Sequence, residues 1–124
     1  LANANFVLNN VKFMTKILVI RFSSIGDIVL TSPIFRCLKT QLSNVEVHAL
    51  TKKQYASLYS SNPYLEKVHE WGDDNAQTLE NLKRENFDVV IDLHRNIRTQ
   101  KIKLALKKKS YSFPKLNVQK WLLF

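Results

Sequence analysis

A short polar segment, Arg-Phe-Ser-Ser-Ile-Gly-Asp at 21–27, directly follows the apolar run Ile-Leu-Val-Ile. Ser23 and Ser24 supply hydroxyls, and Asp27 supplies a carboxylate where a helix is expected to begin. Gly26 is expected to adopt a backbone conformation that a Cβ would disfavour. A carboxylate at this position either takes part in chemistry at the end of the strand or caps the helix. Both interpretations of Asp27 stay open from these residues alone.

A second polar segment, His-Arg-Asn-Ile-Arg, begins at His94 after another apolar run. Arg95 and Arg98 suit the bidentate binding of phosphate or carboxylate groups. His94 either takes part in binding or ends a strand with a hydrogen bond, and Asn96 lies in the same loop. Lys52 is either a solvated lysine or a further cation beside the same site.

Strand and helix patterns alternate along the chain, which predicts an α/β fold with a parallel sheet and right-handed crossovers. The expected strands cover residues 17–20, 45–50, 67–70, 88–93 and 110–113. The expected helices cover residues 26–41, 75–86, 97–107 and 116–124, and a further short helix follows Thr51-Lys52-Lys53 and ends near residue 59. The expected strand order is 3-2-1-4-5, in which the winding reverses between strands 1 and 4. Because ligands bind beyond the carboxyl ends of strands at such a point, the two polar segments are expected to share one cleft.

The first helix carries apolar residues at intervals of three to four. The residues expected on its inward face are Ile28, Val29, Phe35, Leu38 and Leu42. Pro33 is expected either to kink this helix or to restart it after Ser32, because proline cannot donate to the preceding turn.

The segment Ile-Arg-Phe-Ser-Ser-Ile-Gly-Asp-Ile-Val-Leu-Thr-Ser-Pro, residues 20–33, closely resembles the opening of the ADP-heptose:lipopolysaccharide heptosyltransferases, glycosyltransferase family 9. The resemblance continues through Asn-Pro-Tyr-Leu at 62–65 and Phe-Asp-Val-Val-Ile-Asp-Leu-His at 87–94. It implies a Rossmann-like parallel sheet with helices on both faces, the N-terminal half of a GT-B glycosyltransferase. Residues 14–124 would then be an incomplete N-terminal acceptor-binding domain, with the C-terminal donor-binding domain absent.

The same resemblance implies an inverting transfer of heptose from ADP-heptose to a lipopolysaccharide core or lipid A-type acceptor. The aspartate that matches Asp27 is the general base in that family, and neither a cofactor nor a metal is needed. Ser23, Ser24 and the amides around Gly26 are expected to orient anionic groups of the acceptor. The rest of the expected acceptor site comprises His94, Arg95, Asn96, Arg98 and Lys52. Arg95 departs from the small or polar residue that many members carry, whereas Arg98 fits the common basic position.

Charge is distributed unevenly along the chain, whose net charge is +9. Residues 1–93 carry ten Lys/Arg and ten Asp/Glu, whereas residues 94–124 carry nine Lys/Arg and no acid. A concentrated basic tract is either a solvated face or a surface for an anionic partner such as a phospholipid membrane, a phosphorylated glycolipid or nucleic acid, and charge alone does not choose among these. With the family resemblance, a cytoplasmic location peripheral to the inner face of the cytoplasmic membrane is expected. The alternative function is a non-catalytic basic α/β module that binds anionic lipid or nucleic acid. Nucleic acid is not expected as a partner, since aromatic residues do not interleave the basic tract.

Other residue types restrict the function further. Gly26 and Gly72 are the only glycines, so the glycine-rich loops of P-loop and dinucleotide-binding proteins are excluded. Cys37 is the single cysteine, which favours a reducing compartment, and no local cluster of histidine and acidic residues suggests a metal. Residues 1–13 are expected to be a disordered upstream extension. Without a donor domain, the chain alone is expected to be inactive and prone to self-association.

Overall fold

Strands and helices alternate throughout residues 14–112, the part of the chain that the computed structural model describes. The strands are β1 (Thr15–Ile20), β2 (Val45–Lys52), β3 (Lys67–Trp71), β4 (Val89–Asp92) and β5 (Lys109–Ser112). The α-helices are α1 (Ile25–Gln41), α2 (Ser57–Ser60), α3 (Asn75–Glu85) and α4 (Ile97–Leu106), and a 3₁₀ turn (Lys53–Tyr55) precedes α2.

The strands form one parallel sheet in the order β3-β2-β1-β4-β5, which confirms the predicted topology. The central strand β1 pairs with β2 on one side and with β4 on the other. Ile20, the last residue of β1, lies opposite Leu50 of β2 and Asp92 of β4. The segments after β1 and β4 therefore leave the sheet side by side at the point where the winding reverses.

Helices cover both faces of the sheet, as predicted. Ile17 and Val19 of β1 pack with residues of α1 and α2, while Leu18 and Ile20 pack with residues of α3 and α4. The alternation follows from the pleat, which points successive side chains to opposite faces. Each face has its own apolar core, and a strand buried on both sides reads as a continuous apolar run.

The first helix differs from its prediction in two respects. It continues without interruption from Ile25 to Gln41, with Pro33 inside it, so the expected restart after Ser32 is wrong. Val29 and Leu42 are also not on the inward face, since they are 55% and 42% exposed.

The buried residues of α1 are Ile28, Thr31, Ile34 and Phe35, and Leu38 packs against them. Val29 lies one residue beyond this stripe and is therefore rotated by about 100° away from the sheet. The polar Thr31 takes an inward position because its hydroxyl donates to the carbonyl of Asp27 at 2.7 Å.

One further helix differs from its prediction. The short helix predicted after Thr51-Lys52-Lys53 is instead a 3₁₀ turn followed by the one-turn helix α2, and Thr51 and Lys52 extend β2. The predicted helix 116–124 and the predicted disorder of residues 1–13 lie outside the described residues. Within residues 14–112, no helix is both long and apolar enough to cross a bilayer.

Candidate functional site

Arg21 and Asp27 form an ion pair where β1 gives way to α1. The guanidinium Nη2 lies 2.7 Å from the Asp27 Oδ2 atom, and the two side chains are only 13% and 14% exposed. The other terminal nitrogen of Arg21, Nη1, donates to the carbonyl of Leu93 beyond β4. A planar guanidinium holds two acceptors at once, which fits this bridging position. Arg21 therefore ties the start of α1 to the segment that follows β4.

Ser24 is the N-cap residue of α1 and holds Asp27 from the other side. Its hydroxyl donates to Asp27 Oδ2 at 3.2 Å, and its backbone N–H lies 3.4 Å from the same oxygen. Asp27 thus combines the capping role with an ion pair, and its position near the helix N-terminus favours the charged carboxylate. The local geometry orients this carboxylate from two directions.

The segment after β4 is shaped by Asp92, which is fully buried. Its Oδ1 atom accepts from the backbone N–H groups of His94 and Arg95 at 2.9 and 2.8 Å. Its Oδ2 atom lies 2.9 Å from the ammonium of Lys103 in α4. Burial by itself would raise the pKa of Asp92, but these hydrogen bonds outweigh it and leave that pKa below its ordinary value. Arg95 adopts a left-handed backbone with φ of 58°, which turns the chain toward α4.

Phe22 connects this segment to the rest of the carboxyl edge. Its buried ring packs edge-on against His94, with centroids 5.3 Å apart, and lies 5.9 Å from the Trp71 ring. The guanidinium carbon of Arg98 lies 5.4 Å from the centroid of the same ring. One apolar ring therefore positions groups from β3, β4 and α4 around the end of β1.

An open cleft of about 660 Å³ lies beside this aromatic cluster. Lys52, Lys53 and Gln54 line it from the end of β2, and Arg98 lines it from α4. The remaining wall consists of Trp71, Gly72, Asp73 and Asn75. Lys53 forms an ion pair with Asp73, which raises the pKa of Lys53. The cleft combines cations with an aromatic ring, a lining that suits a sugar carrying anionic groups.

His94 lies between the ion pair and this cleft, and its environment is electropositive. Burial lowers the pKa of His94 first, and the positive charges of Arg21, Arg98 and Lys52 lower it further, against the opposing charge of Asp92. The imidazole is therefore neutral near pH 7. Its Nδ1 atom is buried and has no hydrogen-bond partner among the described residues, and the same holds for Nε of Arg21.

The structure separates the predicted site residues into two groups. Lys52 and Arg98 line the cleft, while Asp27, Ser24 and His94 lie around Arg21 and Phe22. Ser23 is half-buried in the loop between β1 and α1, and Arg95 is exposed. Asn96 caps α4, since its side chain accepts from the N–H of Thr99 at 2.9 Å. This local role accounts for an asparagine at position 96.

The expected reason for Gly26 is wrong for the chain as it stands. Gly72 has a positive φ of 153°, whereas Gly26 is not among the residues with positive φ. A Cβ built on Gly26 would meet no heavy atom within 4 Å. Neither backbone conformation nor packing within the described residues therefore requires glycine there, and the backbone is open to close approach.

Two contributors to the site were not predicted from the sequence. Trp71 lies one residue beyond the expected strand 67–70, yet it ends β3 and lines the cleft. Asp92 lies within the motif 87–94 that carries the family resemblance, but its role in shaping the His94 segment depends on Lys103 of α4. The only available signal for Asp92 was an acid in an otherwise apolar strand, a position that demands a partner.

Known proteins resemble this chain in sequence and in fold. Lipopolysaccharide heptosyltransferase 1 of Campylobacter coli is 20% identical over 106 residues, which cover 81% of this chain and 31% of that protein. No protein-family model matches the sequence.

Solved structures also resemble this chain in fold. A glycosyl transferase of family 9 from Veillonella parvula superposes with a TM-score of 0.69 and 18% identity over 87% of this chain and 41% of its own. E. coli ADP-heptose lps heptosyltransferase II has a TM-score of 0.69 at 17% identity, over 79% of this chain and 30% of its own. E. coli heptosyltransferase WaaC with ADP has a TM-score of 0.66 at 19% identity, over 79% of this chain and 33% of its own.

At these identities the structural likeness shows the fold, and the chain spans between 30% and 41% of the length of these relatives. The described sheet matches the Rossmann-like fold found in GT-B glycosyltransferases. The comparisons confirm the resemblance noted in the sequence: in sequence and in fold, this chain is similar to part of a heptosyltransferase of glycosyltransferase family 9.

Proposed function

We propose that this chain is the acceptor-binding part of a heptosyltransferase that acts in lipopolysaccharide biosynthesis. The donor is ADP-heptose, and the acceptor is a lipopolysaccharide core or lipid A-type glycolipid. The single observation that carries this proposal is the oriented Arg21–Asp27 pair at the reversal of winding, with Nη2 and Oδ2 2.7 Å apart. The similarity to named heptosyltransferases supports the same class of reaction.

In the proposed reaction, Asp27 is the general base. A hydroxyl oxygen of the acceptor forms a bond to the anomeric carbon of heptose, the bond from that carbon to the ADP oxygen breaks, and the configuration inverts. Asp27 receives the hydroxyl proton as the new bond forms, and ADP leaves as an anion. Arg21 keeps the carboxylate charged, so proton transfer comes late, when the attacking oxygen has become strongly acidic. The position of the Asp27 carboxylate therefore contributes more to the proposed proton transfer than its intrinsic basicity does.

The cleft is the proposed acceptor site. Lys52 and Arg98 provide positive charge for phosphate or carboxylate groups, and the Trp71 ring offers an apolar surface to a sugar. His94 is neutral and accepts or donates a hydrogen bond without adding charge. Ser23, Ser24 and the backbone around Gly26 complete the contacts near the base.

The proposed location is the cytoplasmic face of the membrane, where a glycolipid acceptor is accessible. Lys107 and Lys108 are exposed between α4 and β5, and Lys109 is exposed at the start of β5, so the basic tract continues beyond α4. Exposed lysines attract an anionic lipid surface, and this attraction weakens as the salt concentration rises.

A transfer assay with the complete protein tests this function. ADP-heptose and a lipid A-type acceptor are supplied, ADP release is measured, and the anomeric configuration of the product is determined. Asp27→Asn is expected to lower turnover by about a hundredfold to ten-thousandfold, the usual range for loss of a general base. Product with retained configuration would contradict the proposed mechanism.

Asp74→Asn is the matched control, because Asp74 also stands at the start of a helix, where its carboxylate accepts from the N–H of Gln77 at 3.0 Å. Asparagine caps helices about as well as aspartate, so this variant should transfer heptose like the parent. Equal losses of transfer activity in Asp27→Asn and Asp74→Asn would indicate that Asp27 only caps its helix. Salt-sensitive binding to oligonucleotides without any transfer would instead favour the basic-module alternative.

A further inference from the structure

A second group of titratable side chains lies toward the amino ends of the strands, on the face covered by α3. His48 of β2 and His69 of β3 are 2% and 5% exposed, and His48 Nδ1 lies 3.0 Å from His69 Nε2. Glu85, the last residue of α3, contributes a carboxylate to the same group. One ligand atom from each of these three residues lies within 4.8 Å of the other two. None of them belongs to the proposed transferase site.

The two imidazole rings are held in place by packing. They stack at 20° with centroids 5.2 Å apart, and the Phe87 ring meets both of them edge-on at 83°. Burial and the neighbouring His48 lower the pKa of His69 to about 4, so this ring is neutral at pH 7. A neutral imidazole is the form that binds metal ions.

Glu46 determines which nitrogen of His48 is available. The Nε2 atom of His48 lies 2.6 Å from a carboxylate oxygen of Glu46, so Nε2 carries the proton and donates it. The lone pair is thereby left on Nδ1, the atom that faces His69. A carboxylate that orients a histidine through its second nitrogen is the usual support of a histidine metal ligand.

Glu85 is the third acceptor, and its side chain is 20% exposed, which leaves a route from solvent. Lys16 donates to Glu85 Oε1 at 2.7 Å, and Lys67 donates to Oε2 at 3.3 Å. The hydrogen bond from Lys16 lowers the pKa of Glu85 to about 2, so the carboxylate is charged. These cations compete with a metal ion for Glu85, but the side chain of Lys67 is 56% exposed and is free to turn into solvent.

We propose that His48, His69 and Glu85 form a zinc site that joins β2, β3 and the end of α3. Two imidazoles and one carboxylate are an established ligand set for Zn²⁺, with a water molecule in the fourth position. Ligands of a tetrahedral zinc ion at about 2.0 Å stand roughly 3.3 Å apart, close to the spacing of the two histidine nitrogens. Mg²⁺ and Ca²⁺ are poor candidates for this site, because both ions prefer oxygen ligands and two of the three ligands are imidazoles.

Zinc binding requires only a small change in the protons of the cluster. His69 must present the lone pair of Nε2, so a proton that this atom shares with His48 Nδ1 moves to His69 Nδ1. Both rings stay neutral, and Glu46 keeps its hydrogen bond from His48. Zinc that binds the folded chain and not the unfolded chain stabilises the folded state by mass action. The site is therefore a structural clamp rather than part of the transfer chemistry.

Competition with a chromophoric zinc chelator tests the proposal on the full chain. We expect one equivalent of Zn²⁺ per chain, a higher unfolding temperature with zinc, and a tetrahedral absorption spectrum after Co²⁺ substitution. Glu46→Gln is expected to weaken zinc binding by about tenfold or more, and His69→Gln by more than Glu46→Gln. Absence of a zinc equivalent in the folded parent chain would overturn the proposal.

Glu85→Gln covers the case in which His69→Gln fails to fold, because position 85 is partly exposed and glutamine keeps the acceptor for Lys16. This variant is expected to bind zinc more weakly, whereas Lys67→Gln is expected to bind it more tightly, since a competing cation is removed. His94→Gln is the matched control, as His94 is the remaining histidine of the chain and lies outside the cluster. Unchanged zinc binding in Glu85→Gln, or its loss in His94→Gln, would place the ion elsewhere and refute the site.

Discussion

Two aspartates lie at the carboxyl ends of the neighbouring parallel strands β1 and β4 and pair with cations, yet their surroundings differ. Asp92 is fully buried at the end of β4, where two backbone N–H groups and the ammonium of Lys103 bind its oxygens. Asp27 lies past the end of β1 in the first turn of α1, partly exposed, and its partner Arg21 also binds the Leu93 carbonyl. The first carboxylate is enclosed by the protein, and the second borders solvent.

This difference suits Asp92 to structural support and Asp27 to the proton transfer proposed for it. A buried, ion-paired carboxylate cannot exchange a proton with a ligand without disrupting its surroundings, so Asp92 shapes the segment that carries His94. A partly exposed carboxylate oriented by an arginine and a serine is able to meet a hydroxyl with little rearrangement. Variants of the two pairs should therefore separate stability from activity.

The largest effect is expected for Asp92→Ala. Removing one partner of a buried pair leaves Lys103 charged and uncompensated, which should lower the free energy of unfolding by about 3 to 5 kcal/mol. Urea denaturation measures this loss. If Asp92→Ala proved as stable as the parent, the proposed contrast between the two aspartates would fail.

The stabilisation by Asp92 should also depend on pH. The folded-state pKa of Asp92 is lowered. Its contribution to stability is therefore fully present above the unfolded-state pKa of about 3.9 and is lost as the pH falls through the folded-state pKa. The difference in unfolding free energy between the parent and Asp92→Asn should therefore shrink on acidification from pH 7 to below pH 4. Paired denaturation curves at the two pH values test this, and a difference that widened in acid would contradict it.

Arg21→Lys should affect activity more than stability. Lysine keeps the charge but cannot hold the Asp27 carboxylate and the Leu93 carbonyl in one planar fork, so the proposed base Asp27 loses its alignment. A misplacement of this kind is expected to lower kcat by roughly a hundredfold, with little change in the unfolding temperature. Steady-state kinetics and thermal unfolding of the same preparation separate the two effects, and a large stability loss would instead assign Arg21 the role given to Asp92.

Arg98→Ala should act on acceptor binding. An exposed guanidinium in the cleft binds an acceptor anion equally in the ground and transition states, so KM should rise more than kcat falls. An interaction of about 1 kcal/mol corresponds to roughly a fivefold rise in KM. Lys101→Ala, in the exposed part of α4 and outside the cleft lining, should leave KM unchanged. Equal KM values in all three proteins would remove Arg98 from the site.

The smallest effect is expected for Gly26→Ala. Open space around position 26 and a helical backbone mean that alanine should raise the free energy of unfolding by about 0.5 to 1 kcal/mol. The acceptor KM should nevertheless rise, because a methyl group would block close approach to the backbone beside Asp27. A more stable variant with an unchanged KM would leave Gly26 without a role in binding.

Much of the fold was predictable because its signals are local. Apolar runs such as 17–20 identified the buried strands, and their alternation with helices led to the correct strand order. The inward face of α1 was less predictable because Val29 and Leu42 are apolar but face solvent, while Thr31 is polar and buried. Burial there depends on the rotation of the helix against the sheet, which composition alone does not specify.

The candidate site was predictable only as far as topology determined it. The meeting of the segments that begin at Arg21 and His94 followed from the strand order, but the bridge from Arg21 to Leu93 depends on side-chain geometry. His48 and His69 are 21 residues apart and carry no recognisable metal motif. They meet because the register of β2 and β3 brings them onto one face of the sheet. Contacts between strands of this kind are not visible in the spacing of residues.

The pairing of β1 with β4 also bears on how the chain acquires its chemistry while folding. Arg21 and Leu93 are 72 residues apart, so their contact closes a long loop that contains two other strands. Closing such a loop costs chain entropy before any contact compensates for it, and contacts of high sequence separation form slowly. Asp27 is close to Ser24 from the outset, but it is held against the β4 side only after this closure. The Asp27 carboxylate is therefore fully oriented only in a chain in which β1 and β4 have paired.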